Sequence, residues 1–85
     1  MKKIDFAKVP VKNVEGQTVY VNIQREFGNI LYMRGRHITE KDLGRKIYHS
    51  DGEIELDEQE VEVVKQWVKD LFPIVIQEGV DICLS

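Results

Sequence analysis

The sequence predicts a single α+β domain, residues 1–85, in which a small antiparallel sheet packs with three to four short helices. Three observations carry this prediction. Apolar and polar side chains alternate on both sides of a Glu15-Gly16 turn. Two segments, opening at Thr39 and Asp57, share the grammar of a helix entrance. From Val61 to Leu71 apolar residues recur every three to four positions. A chain of 85 residues can enclose one modest core.

The segment VPVKNVEGQTVYVNI reads as a β-hairpin. Val9, Val11 and Val14 make an apolar first strand. In the second, Val19, Val21 and Ile23 share a face opposite Thr18, Tyr20 and Asn22. Gly16 supplies the positive φ that tight hairpin turns need. Pro10 lacks an N–H and therefore suits an edge strand.

A first helix is predicted over Gln24–Arg34. Ile23, Phe27, Ile30 and Leu31 line one face, and Asn22 is the expected N-cap. Gly28 inside it costs about 1 kcal/mol relative to Ala, so close packing against a neighbour is expected there. Gly35 fits the positive-φ residue that ends many helices. The second helix is expected from Glu40 to Tyr48, with Thr39 as N-cap, Asp42 at N3 and an Ile38/Leu43 staple. After a Ser50-Asp51-Gly52 turn, Ile54 and Leu56 alternate with Glu53 and Glu55 as a short third strand, expected to join the hairpin.

Asp57 then caps a third helix, Glu58–Phe72, with Glu60 at N3 and Leu56 and Val61 as its staple. Acids crowd its start and Lys65 and Lys69 its end, as the helix dipole favours. The tail PIVIQEGVDICLS reads two ways. As a helix, Ile76, Val80, Cys83 and Leu84 share a face; as a hairpin, Gln77-Glu78-Gly79 is the turn. The helix is favoured. Beyond the shared cap pattern no internal repeat is expected.

Several function classes are disfavoured. A membrane-spanning helix needs about 20 apolar residues, and no such run exists. The MKKIDFAKV start has no apolar stretch of signal-peptide type, so a cytoplasmic location is expected, without membrane contact. One cysteine forbids an internal disulfide and a cysteine-based zinc site. His37 and His49 flank a helix about 14 Å long, which keeps them from sharing a metal. No Gly-rich phosphate loop, HExxH or GxSxG motif is present, so neither catalysis nor a cofactor is expected.

Charge is unevenly spread. Residues 1–50 carry ten Lys/Arg against five Asp/Glu, and residues 51–85 carry two against ten. Arg34, Arg36, Lys41, Arg45 and Lys46 cluster within thirteen residues and raise a nucleic-acid reading. Glu40 and Asp42 interrupt that cluster, and the net charge is −3. Tyr, Met and Arg are enriched at protein interfaces. Tyr32, Met33, Arg34, Arg36, Arg45, Lys46 and Tyr48 therefore form a candidate interaction patch for a protein partner or a second copy.

Taken in order, VKNVEGQTVYVNI, EFGNILY and LGRKIYHSDGEIELDEQE resemble small proteins encoded by phages and prophages. Those proteins have a Gly-turn strand pair, an (L/F)GN-(I/L)-(L/I)-Y helix and an IYH…G.(V/I).L segment. The resemblance covers about half of the chain and no catalytic motif. It implies a virion-assembly or host-interaction accessory protein, with self-association, and it supplies no site residues. The sequence thus predicts a non-catalytic interaction or assembly module. The second reading is a small nucleic-acid-binding accessory factor using the Arg34–Lys46 cluster.

Overall fold

The computed structural model describes residues 1–85. Strand β1 (Lys2–Ile4) is followed by β2 (Val9–Lys12), β3 (Thr18–Val21), α1 (Gln24–Arg34) and α2 (Ile38–Tyr48). Strand β4 (Ile54–Leu56) leads into α3 (Glu58–Leu71) and α4 (Ile74–Leu84). The class is α+β, with four helices and two separate two-stranded antiparallel sheets.

The hairpin forms where alternation places it, with Val9 opposite Val21 and Val11 opposite Val19. Asn13 donates its N–H to the Gln17 carbonyl at 3.0 Å. Counting back from that bond, Pro10 and Tyr20 are a non-hydrogen-bonded pair, so the missing proline N–H leaves the ladder intact. Gly16, at φ +81°, closes the turn, and the Asn13 carboxamide oxygen accepts from the Glu15 and Gln17 amides. Val14 lies in this turn, fully exposed, rather than in the first strand.

The third strand does not join the hairpin. Ile54–Leu56 pairs instead with β1, Ile4 opposite Ile54 and Lys2 opposite Leu56. The partner KKI has one inward residue, Ile4, and three residues are too few to show a period. Helices pack on β1, β2 and β4, while β3 stays exposed apart from the half-buried Val21. Helix α4 lies across β2, and a Cβ at Gly79 would run into the Pro10 carbonyl oxygen. The tail is therefore helical, with Val80 and Leu84 buried. One core joins the layers, built around Phe27, whose ring centroid lies 5.5 Å from that of Phe6 and 5.8 Å from that of Phe72.

Asp57 caps α3 as expected. Its carboxylate accepts from the Glu60 N–H at 2.7 Å, and Glu60 accepts from the Asp57 N–H at 3.0 Å. The entrance of α2 differs from the expectation. His37 is the N-cap, and Thr39 lies within the first turn. Glu40, at N3, folds back to accept from the Arg36 and His37 amides at 3.1 and 3.3 Å. Glutamate reaches the cap amides, whereas Asp42 sits outside that turn. Ile38 is 70% exposed and staples nothing. At α1 the N-cap is Ile23, while Asn22 accepts from the Gln24 N–H at 3.0 Å just before it.

Glu40 also ties α2 to α3, because its second carboxylate oxygen accepts from the Trp67 indole N–H. Partial desolvation opposes ionisation there, but the Trp67 bond and the Arg36 and His37 amides outweigh it. They hold the Glu40 pKa below its ordinary 4.5.

Helices α1 and α2 form an antiparallel hairpin joined by Gly35-Arg36-His37. Their backbones touch. A Cβ on Gly28 would stand 2.7 Å from the Tyr48 nitrogen and 2.8 Å from the Gly44 oxygen. A Cβ on Gly44 would stand 2.6 Å from the Tyr32 nitrogen and 2.7 Å from the Gly28 oxygen. Gly35 has φ −60°, not a positive value. It is hemmed in by the Leu31 oxygen and Glu40, so space rather than torsion selects glycine there.

These reciprocal contacts expose an internal repeat that the cap patterns do not show. Arg25-Glu-Phe-Gly-Asn-Ile-Leu-Tyr32 recurs 16 residues later as Lys41-Asp-Leu-Gly-Arg-Lys-Ile-Tyr48. Each copy reads basic, acidic, apolar, Gly, x, x, apolar, Tyr. The apolar pairs Phe27/Leu31 and Leu43/Ile47 all point into the core. The two helices are therefore related by a local pseudo-twofold axis passing between Gly28 and Gly44.

Two outcomes are expected. Gly28→Ala or Gly44→Ala should destabilise the fold in urea melts by about 1–3 kcal/mol, the overpacking cost. Alanine's better helix propensity would give about 1 kcal/mol in the other direction, so unchanged or raised stability would contradict the backbone contact. The second outcome concerns Glu40, whose lowered pKa gives stability that is present above its ordinary value and lost as pH falls through the folded one. Glu40→Gln should be less stable than wild type at neutral pH, and the gap should close on acidification below about pH 4.5. Fluorescence of Trp67, the sole tryptophan, reads the same change; a gap that is constant with pH would exclude the link.

Candidate interaction site on the α1–α2 hairpin

The outward face of the α1–α2 hairpin carries the tyrosine that ends each octapeptide. Tyr32 and Tyr48 are equally exposed, at 37%. Each is covered by the basic residue that opens the other octapeptide. The Lys41 ammonium stands 4.8 Å from the Tyr32 ring centroid, and the Arg25 guanidinium stands 5.9 Å from that of Tyr48. Repetition and antiparallel packing together produce this exchange. Position one of each copy meets position eight of the other. A third cation, Arg45, lies 5.6 Å from the Tyr32 ring. Such pairs are attractive by about 0.5–1 kcal/mol at exposed sites.

Between the two tyrosines runs an open groove of about 240 Å³, lined by Gly28, Asn29, Tyr32, Arg45, Tyr48 and His49. Tyr48 and His49 meet edge to face at 5.1 Å. The end of the groove is held in place from α1. The Gln24 side-chain amide donates to the Tyr48 carbonyl at 3.1 Å and to the Ser50 carbonyl at 2.7 Å. The groove-lining positions thus rest on two helices in backbone contact, with their far ends cross-tied.

The seven-residue patch expected from the sequence divides. Tyr32, Arg45 and Tyr48 come together at the groove. Arg34 and Arg36 lie elsewhere, in a separate open cleft with Trp67 and Asp70 of α3. Met33 is exposed, at 71%, and lines neither depression. Lys46 is turned the other way, donating to the Glu55 carbonyl at 2.7 Å and pairing with Glu60 at 3.3 Å. Arg25, Asn29 and His49 belong to the site and were outside the expected patch. The octapeptide repeat marks Arg25 as the counterpart of Lys41, and Asn29 as that of Arg45.

The electrostatics of the face are one-sided. The molecule has two ion pairs, Lys3–Glu55 at 3.9 Å and Lys46–Glu60 at 3.3 Å. Direct pairing between the basic and acidic halves is confined to these. Arg25, Lys41 and Arg45 have no carboxylate partner.

The helices of this hairpin lie side by side throughout, from Gly35 beside Lys41 to Gly28 beside Tyr48. A helix-turn-helix instead opens at about 90–120° to free its second helix. Elsewhere, no polar or charged residue is buried, and no three His, Cys, Asp or Glu residues gather at metal-binding spacing. Burial, with the charges of Asp5 and Glu53, pushes the Cys83 thiol pKa up, which disfavours the thiolate. No helix is long and apolar enough to cross a membrane. Comparison with known protein families, with curated proteins and with solved structures finds no match for this chain.

Proposed function

We propose that this chain is a non-catalytic protein–protein interaction or assembly module that engages its partner through the outward face of the α1–α2 hairpin. The observation that carries this reading is the pair of half-exposed tyrosines, held on a rigid hairpin and bordered by cations without carboxylate partners. Tyrosine offers large contact area at low conformational cost, and arginine adds directional hydrogen bonds. Preorganisation matters because ordering mobile side chains on binding weakens affinity.

The resemblance of the hairpin and helix segments to small phage and prophage proteins implies an accessory role in virion assembly or host interaction. Binding to nucleic acid is the competing reading, now resting on Arg25, Lys41 and Arg45 rather than on the dispersed Arg34–Lys46 set. Tyr32→Ala with Tyr48→Ala tests the proposal. Neither ring belongs to the core, so the melting temperature should stay within a few degrees of wild type. Protein partners captured from the native host by the wild type should be lost by the double variant. Capture of the same proteins by both, or recovery of nucleic acid alone, would refute the reading.

A further inference from the structure

From the groove between Tyr32 and Tyr48, we infer that the partner presents an acidic peptide segment, one carboxylate of which seats against Arg45. This inference rests on the interaction-module reading and adds the chemistry of the occupant.

Charge complementarity is the first argument. Arg45 lines the groove, Arg25 and Lys41 stand over the tyrosine rings that wall it, and none of the three is paired with a carboxylate. No carboxylate lines the groove itself. A ligand that supplies negative charge meets an attraction that the protein does not satisfy internally.

The second argument is directional. A guanidinium lying over an aromatic ring keeps its in-plane N–H groups free. Those groups match the two oxygens of a carboxylate, giving paired charge-assisted hydrogen bonds. Arg45 stands over Tyr32 and lines the groove, so its donors border the space a ligand would fill. Asn29, its counterpart in the first octapeptide, adds a neutral carboxamide on the opposite helix. One half of the site therefore holds the charge, and the other half holds a hydrogen-bonding neighbour. The tyrosine walls give apolar contact for the methylene stem of a glutamate.

The third argument separates a peptide from nucleic acid. The cations at this face are three, Arg25, Lys41 and Arg45, and the whole chain has a net charge of −3. A continuous phosphate backbone needs a run of cations along its path, which three clustered on one hairpin do not supply. A carboxylate at the end of a methylene stem reaches Arg45 singly, between the two tyrosine rings.

The probe is fluorescein-labelled decaglutamate, titrated by fluorescence anisotropy against the full chain. A Gly/Ser peptide of equal length and a labelled DNA duplex serve as references at the same ionic strength. Saturable binding of decaglutamate is expected, tighter than either reference. Arg45→Lys keeps the charge and removes the planar fork, so it should weaken binding about tenfold, the loss of roughly one charge-assisted hydrogen bond. Lys8→Gln with Lys12→Gln removes two charges from the β2 strand region, outside the groove lining, and should leave binding within about twofold, as expected of screened surface charges. Unchanged melting curves show that both variants remain folded.

The inference is overturned by absent or non-saturable binding, by a duplex that binds more tightly, or by Arg45→Lys behaving as wild type. It is equally overturned if the Lys8/Lys12 variant weakens binding as much as Arg45→Lys does. If decaglutamate fails while protein capture still depends on Tyr32 and Tyr48, only the carboxylate reading falls. If capture ignores the tyrosines, the interaction reading falls with it.

Discussion

The contact between Gly28 and Gly44 constrains everything on the candidate face. Two helices whose backbones touch have one lateral separation, set by the van der Waals surfaces of their own peptide groups. Larger side chains at these positions would act as spacers and would allow the separation to vary with rotamer. With glycine, the positions of Tyr32 and Tyr48 follow from the backbone path alone. The same close approach turns Phe27, Leu31, Leu43 and Ile47 together onto one side, where the core receives them. Inward packing and outward presentation are two consequences of one contact.

The octapeptide repeat explains why that contact is reciprocal. Antiparallel pairing of identical patterns creates a local twofold relation, so each feature on one helix is met by its counterpart on the other. Cation over tyrosine occurs twice for this reason. The symmetry is broken at one position of consequence, where Asn29 on α1 corresponds to Arg45 on α2. A fully symmetric groove would hold two guanidinium groups facing each other across a narrow space, and like charges there are costly. The substitution leaves one cation in the groove and gives the face a polarity.

Much of the fold was legible in the sequence because its signals are local. Alternation from Val9 to Val21 with Gly16 between them defines the hairpin, and Asp57 with Glu60 defines the start of α3. The partner of β4 was not legible, since KKI is too short for any period and pairs across 50 to 54 residues. The entrance of α2 offered two cap registers. Thr39/Asp42 and His37/Glu40 both have three-residue spacing, and the choice rests on glutamate reach and on Trp67, which arrives from α3. Of the site, Tyr32, Arg45 and Tyr48 could be read directly as an aromatic–basic set. Lys46 could not be separated from Arg45 by sequence, because neighbouring helical residues diverge by about 100° and only packing decides which faces outward. Gly28 and Gly44 carried the missing information, as residues whose weak helix propensity demands a packing reason.

The charge division of the chain acquires a physical sense from this geometry. A basic first half and an acidic second half could have closed on each other, leaving a surface of low potential. Instead, β4 and the start of α3 draw off Lys3 and Lys46. The remaining cations of the hairpin face are separated from those acids by the thickness of α2, because Lys46 and Arg45 occupy different sides of one helix. The attraction that folds the acidic half onto α2 therefore does not discharge the outward face. Lys46 stabilises the tertiary arrangement and Arg45 remains available. A helix of 11 residues is thus an electrostatic divider as well as a scaffold.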